Sequence, residues 1–190
     1  MKNIETLRWN EDHLEMIDQR ILPADFKYIS YYSASSVADG IRSMVVRGAP
    51  AIGCAAAYGV ALEALSLRGL NNNEFSKGMK KALKLLAESR PTAVNLFWAI
   101  DRMRSLMNQT QDSPNEIAGI LLKEAHKILN EDININKTMG RFGAELLVDG
   151  ARVLTHCNAG ALATAGHGTA LGVIRSAVQT GKKISVLADE

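Results

Sequence analysis

Residues 153–175, Val-Leu-Thr-His-Cys-Asn-Ala-Gly-Ala-Leu-Ala-Thr-Ala-Gly-His-Gly-Thr-Ala-Leu-Gly-Val-Ile-Arg, constrain this chain more than any other stretch. Residues 152–155 read as a strand leaving a turn at Asp149-Gly150. Leu171, Val173, Ile174 and Val178 give the apolar face of a buried helix that ends at Gly181. The loop between them threads Gly160, Gly166 and Gly168 among alanines and threonines. Small residues let a ligand approach the backbone, and the free N–H groups of a helix start attract an anion. Cys157 falls where strand becomes loop, just ahead of such donors, a setting that favours a reactive thiol. The competing reading is a small core thiol, the commoner fate of free cysteine.

A second strand at 181–190 would lie parallel to the first after a helical crossover, with acids at its carboxyl end. A right-handed βαβ unit opens a doubly wound domain but does not complete one. Two parallel strands leave faces and edges uncovered, so the chain is expected to stop part-way through its second domain. Upstream, residues 4–9, 13–18 and 27–32 are short segments divided by Asn10-Glu11-Asp12 and Pro23-Ala24-Asp25, which reads as a small antiparallel sheet. Ser35 or Ser36 caps a helix striped by Val37, Ile41, Met44 and Val45. Arg47-Gly48-Ala49-Pro50 ends it and starts another, rich in small residues, in which Cys54 is core. A lysine-bearing helix covers 73–88, and Pro91 forces Arg90 out of helical geometry before a helix burying Val94, Phe97, Trp98 and Met103. Ser113-Pro114-Asn115-Glu116 is a strong start signal, with Ile117, Ile120, Leu121 and Ile128 on the buried face. The polar run 130–136 reads as a joint, after which Met139, Phe142 and Leu146 continue as helix to Gly150.

Arg47 and Arg90 each stand beside a proline-marked helix start, so each could set a guanidinium next to free N–H groups, an arrangement suited to phosphate. The alternative is a pair of surface arginines capping nearby carbonyls. His13 and His126 read as surface groups, His156 as packed behind the strand, and His167 as a loop residue within reach of a ligand. A net charge of +2 with no basic run argues for neither nucleic acid nor membrane binding. Two cysteines so far apart make no metal spacing and no disulfide framework, and the expected compartment is the cytoplasm.

Arg47-Gly-Ala-Pro-Ala-Ile-Gly53, Arg90-Pro-Thr-Ala-Val-Asn-Leu96 and Thr155-His-Cys-Asn-Ala-Gly-Ala-Leu-Ala-Thr-Ala-Gly166 resemble motifs of the methylthioribose-1-phosphate isomerases of methionine salvage. The likeness covers the whole chain, beginning at that family's N-terminus. It implies an α/β fold: a small mixed α+β domain, short antiparallel sheet plus helices, at 1–130, and the beginning of a Rossmann-like parallel-sheet domain at 131–190. It further implies a homodimeric aldose–ketose isomerase acting on a small sugar phosphate without metal or nucleotide cofactor. Arg47, Gly48, Ala49 and Arg90 would contact substrate, and Cys157 would be catalytic, its partner an aspartate beyond residue 190. Two alternatives share the fold: a ribose-1,5-bisphosphate isomerase, and a non-catalytic regulatory module of the translation-initiation exchange factor kind.

Overall fold

A computed structural model describes residues 5–110 and 112–189; Ile4 and Glu190, the outer ends of the first and last expected strands, lie outside them. Three strands, β1 (Leu7–Asn10), β2 (His13–Ile17) and β3 (Tyr28–Tyr31), form an antiparallel sheet in that order, with Leu7 opposite Met16 and Leu14 opposite Tyr31. These four side chains share the buried face, and strand alternation leaves Arg8, Glu15 and Ser30 on the other. The first helix, α1 (Ala34–Arg42), is capped by Ser33 rather than Ser35 or Ser36. The Ser33 hydroxyl accepts the Ser36 N–H at 3.1 Å, and the Ser36 hydroxyl accepts the Ser33 N–H at 3.2 Å, a reciprocal box whose cap lies ahead of the expected serines.

At the centre lies α2 (Ala49–Leu67), buried without a break from Ala51 to Leu62. A helix apolar all round is stable only when surrounded, and here α1, α3 (Asn72–Ala87), α4 (Val94–Gln109) and α5 (Pro114–Glu145) enclose it. Its small residues allow close approach: a Cβ on Gly53 would lie 3.0 Å from the Asn95 carbonyl oxygen of α4. Cys54 is buried within it, and burial pushes its thiol up.

Two helices differ from expectation. In α4 the buried face is Leu96, Ala99, Ile100 and Met103, so Met103 is buried as expected while Val94, Phe97 and Trp98 are exposed. The Trp98 ring instead lies beneath the Arg102 guanidinium, which bonds Glu124 at 2.6 Å and Glu131 at 2.6 Å. In α5 no joint interrupts 130–136; the helix runs unbroken across the expected domain boundary at 130/131 and ends at Glu145, short of Gly150. The polar residues there are spent sideways: Glu131 on Arg102, and Asn136 on the carbonyl of Asp132 one turn back at 2.8 Å.

After α5 come β4 (Arg152–His156), a short 3-10 turn (Ala161–Ala163), α6 (Ala170–Gln179) and β5 (Ser185–Asp189). β4 and β5 pair in parallel, Val153 opposite Val186. The expected burial of α6 is shallower than its pattern suggested: Gly172 and Ala177 are buried, Leu171, Val173 and Ile174 half-buried, and Val178 exposed. The reason is that α6 meets α5 through glycines. A Cβ on Gly140 would lie 2.6 Å from the Ser176 hydroxyl, and one on Gly143 would lie 2.6 Å from Val173.

The histidines also move from their expected places. His13 is buried with its ring stacked on Tyr32, 4.6 Å between centroids, and half-buried His126 meets the Tyr58 hydroxyl at 2.9 Å. His156, expected to be packed, is exposed and pairs with Asp189 at 3.0 Å.

Candidate active site

Three junctions between elements meet on one cleft of about 410 Å³: the start of α2, the turn before α4 and the loop after β4. Arg47, Gly48, Ala49, Arg90 and Cys157 all line it, so every residue singled out from the motifs is present. Gly48 is the N-cap of α2, with no side chain capping it and Pro50 in the first turn, so the N–H groups of Ala49 and Ala51 find no side-chain partner. Helix starts of this kind carry partial positive charge. Arg90 crosses 43 positions of sequence to donate from Nη1 to the Arg47 carbonyl at 2.8 Å, which ties both arginine segments to the same rim.

Cys157 is exposed and has a φ of 70°, in the left-handed region that a non-glycine residue seldom adopts. Its N–H donates to the Asp189 carbonyl at 3.1 Å, and its own carbonyl accepts from Ala159 at 3.0 Å. The corner therefore takes the chain out of β4 and onto the cleft. The expected alternative, a buried core thiol, describes Cys54 and not Cys157.

The loop from 157 to 169 is pinned from three directions. The Thr6 hydroxyl donates to the Ala161 carbonyl at 2.7 Å, Gln19 Nε2 to the Leu162 carbonyl at 2.8 Å, and the Ala165 N–H to Asp132 Oδ2 at 2.7 Å. Inside it, the Thr164 hydroxyl accepts the N–H groups of Gly166 at 3.2 Å and Gly168 at 3.0 Å. Gly168 has a φ of 93°, and a Cβ there would lie 2.8 Å from the Gly160 carbonyl carbon, so both torsion and space call for glycine. Asn158, Thr164 and Thr169 also line the cleft and were not singled out, although polar residues inside a glycine-rich run are the signal that finds them. His167 does not line it. The ring is buried behind the loop, 3.2 Å from the Ser176 hydroxyl, and burial first, then Arg175 and Lys137, lower its pKa.

A second hollow of about 500 Å³ shares Pro50 and Thr169 with the cleft. Val94, Trp98, Ile135 and Met139 make it largely apolar, and its ionisable carboxylates are Glu131 and Asp132. A roomier concavity, about 850 Å³, follows the exposed Ile135, Met139 and Phe142 of α5 and Leu146 just past its end, but no cation lines it. Among the described residues no group of three or more His, Cys, Asp or Glu side chains could hold a metal ion.

Residues 45–190 match the model of the initiation factor 2 subunit family. Over 188 residues the chain is 64 % identical to a methylthioribose-1-phosphate isomerase of Albidiferax ferrireducens, covering 98 % of this chain and 53 % of that protein. A methylthioribose-1-phosphate isomerase of Syntrophotalea carbinolica is 52 % identical, with 99 % of this chain and 55 % of that protein covered. The chain thus spans about half the length of the curated relatives it matches. Among solved structures, 5-methylthioribose 1-phosphate isomerase from Pyrococcus horikoshii superposes with a TM-score of 0.91 at 36 % identity, over 98 % of this chain and 60 % of that one. The delta subunit of translation initiation factor eIF-2B from A. fulgidus superposes with a TM-score of 0.86 at 45 % identity, over 97 % and 54 %.

Proposed function

The chain belongs to the initiation factor 2 subunit family, and from that premise we propose that its cleft binds 5-methylthioribose 1-phosphate and serves its conversion to 5-methylthioribulose 1-phosphate in methionine salvage. One observation carries this reading: Arg47, Arg90, the uncapped start of α2 and Cys157 share a single cleft. Two guanidinium groups and a helix start form a phosphate site, the helix start adding about 0.3–1 kcal/mol for an anion. A sugar whose anomeric oxygen carries phosphate cannot open to a free aldehyde, so the site must hold the phosphate while the ring opens and hydrogen passes from C2 to C1. Arg47 and Arg90 do the holding, and the Cys157 thiol is the group placed to take or polarise hydrogen at the reacting carbons.

The neighbouring hollow favours a methylthio sugar over a bisphosphate. Val94, Trp98 and Met139 suit a thioether, whereas no lysine or arginine lines the hollow to receive a second phosphate. A regulatory module would have no use for an exposed cysteine at a left-handed corner beside two arginines. As further parts of the same proposal, β4–α6–β5 opens a Rossmann-like sheet, and the protein works as a homodimer in the cytoplasm. The parallel pairing, the exposed Phe142 of α5 with Leu146 just past its end, and the two free thiols support these three points in turn.

Incubating the full-length gene product with each sugar phosphate and following ³¹P NMR tests the reading. Turnover of 5-methylthioribose 1-phosphate at least tenfold faster than of ribose 1,5-bisphosphate is the expected result, since one misplaced group in a fitted pocket costs about that factor or more. Preference for the bisphosphate would install the second reading, and binding without turnover of either would install the regulatory one.

A further inference from the structure

We infer that Asp132 is a positioning residue for this cleft: its carboxylate holds the glycine-rich loop in the place that presents Cys157 to a bound phosphate ester. The inference rests on the cleft being the reaction site proposed above.

Asp132 lies midway along α5, half-buried where the helix passes under the loop, and the Ala165 N–H donates to its Oδ2 at 2.7 Å. Its other oxygen accepts from Asn136 Nδ2 at 3.0 Å, and the same amide donates to the Asp132 carbonyl at 2.8 Å. Asn136 is only 3 % exposed, so the carboxylate is oriented by a buried neighbour and has little freedom to turn away. On its far side the loop is held to the N-terminal sheet through Thr6 and Gln19. Residues 161–165 are therefore gripped at both ends, and Ala159, two positions after Cys157, accepts the N–H of Thr169, the cap of α6, at 2.9 Å, which closes the loop on itself. Asp132 is the one ionisable side chain among these three grips.

That choice opposes stability. Desolvation works against ionisation of the carboxyl, and the bonds from Ala165 and Asn136 offset it only in part, so its pKa is raised. An asparagine would avoid that cost but keeps a single acceptor, so its NH2 would face either the Ala165 N–H or the Asn136 amide, both of which donate to Asp132. What the charge adds is strength in the bond to Ala165, since charge-assisted hydrogen bonds are roughly twice as strong as neutral ones. A residue serving the fold alone would lower stability when changed. A residue serving loop position at the fold's expense would loosen the loop on neutralisation and leave melting unharmed.

The experiment compares wild type, Asp132→Asn and Asp132→Ala in the full chain. It reads hydrogen exchange of the Ala165 amide, iodoacetamide labelling of Cys157 with buried Cys54 as internal reference, melting temperature and turnover. In Asp132→Asn the Ala165 amide should exchange about tenfold faster, and Cys157, already exposed, should label at a rate several-fold different from wild type as its surroundings change, with melting no lower than wild type. The kcat should fall by roughly tenfold to a hundredfold at little-changed KM, as misplacement of a reacting group does. Wild-type exchange and labelling rates in Asp132→Asn would overturn the inference, as would loosening matched by a lower melting temperature. Asp132→Ala should exceed Asp132→Asn in loop loosening, and if it fails to fold, Asp132→Asn decides alone. Exchange and labelling need no substrate, so a wild type without turnover would remove the proposed reaction while these two rates still judge the loop clamp.

Discussion

At Gly48 an added Cβ would lie 2.1 Å from both the Cα and the carbonyl oxygen of Ala163, so the start of α2 and the Cys157 loop touch backbone to backbone there. Neither partner is a flexible side-chain tip that could swing aside. Gly48→Ala should therefore part the two limbs of the cleft, lowering stability by about 1–3 kcal/mol in urea melts and weakening phosphate binding in calorimetry. Arg90 presents a different case. It spends one N–H on the Arg47 carbonyl and keeps the rest of the fork free. A lysine ammonium cannot reproduce that planar division, so Arg90→Lys should raise KM about tenfold with kcat nearly intact in steady-state assays. Arg47, Arg90 and Cys157 were legible in the sequence because proline and glycine mark helix starts and close approaches without reference to the rest of the fold. Asp132 was not: Asn130, Glu131, Asp132, Asn134 and Asn136 look like loop chemistry until Arg102 and Ala165 are seen beside them.

Between α5 and α6 the packing depends on the absence of side chains. A Cβ on Gly140 would crowd the Ser176 hydroxyl, His167 Nε2 at 2.8 Å and the Gly172 carbonyl at 3.0 Å. Gly140→Ala should push α6 and His167 outward and cost about 1–3 kcal/mol, measurable as an earlier urea midpoint. The same region brings in pH. Burial lowers the pKa of both His126 and His167. Between each folded-state value and the unfolded value near 6.5, the unfolded chain holds more protons. Their contribution is thus complete above about pH 6.5 and declines as pH falls through it. Asp132 acts with the opposite sign at lower pH, because its raised pKa lets the folded state hold the extra proton above the usual carboxylate range. Urea midpoints at pH 7.5 and 5.5 should fall with pH in wild type and fall less in a His126→Gln/His167→Gln double variant; equal slopes would remove the histidines from the explanation. Helix starts in this part of the chain were readable from Ser113-Pro114 and from Pro91, but the unbroken run of α5, its end at Glu145 and the buried faces were not. Periodicity offered Val94, Phe97 and Trp98 as an apolar set, yet small-residue α2 accepts Leu96 and Ile100 one position round, and Trp98 packs on Arg102 instead.

Across the whole molecule the two sheets differ in how they are covered. The antiparallel sheet buries Leu7, Leu14 and Met16 against helices, while Leu154 and Leu187 of β4 and β5 are 71 % and 60 % exposed. Apolar alternation on both faces of those strands was legible, and so was their parallel pairing; which face α6 leaves open was not, because that depends on how glycines seat α6 on α5. Fully burying a leucine is worth about 1.5–3 kcal/mol, a gain these two side chains forgo here. Amides at 152–156 and 185–189 should therefore exchange at least a hundredfold faster than those of central α2, whose opening approaches global unfolding. The cleft joins these unequally stable parts, with Arg47 and Arg90 on the helical body and Cys157 at the tip of β4. Whether the phosphate is held on the first while the second acts at the sugar carbons comes down to one comparison in the full-length protein. ³¹P NMR of Cys157→Ala with 5-methylthioribose 1-phosphate should show a bound phosphate resonance at wild-type affinity and no ketose product; near-normal turnover in that variant would contradict the account.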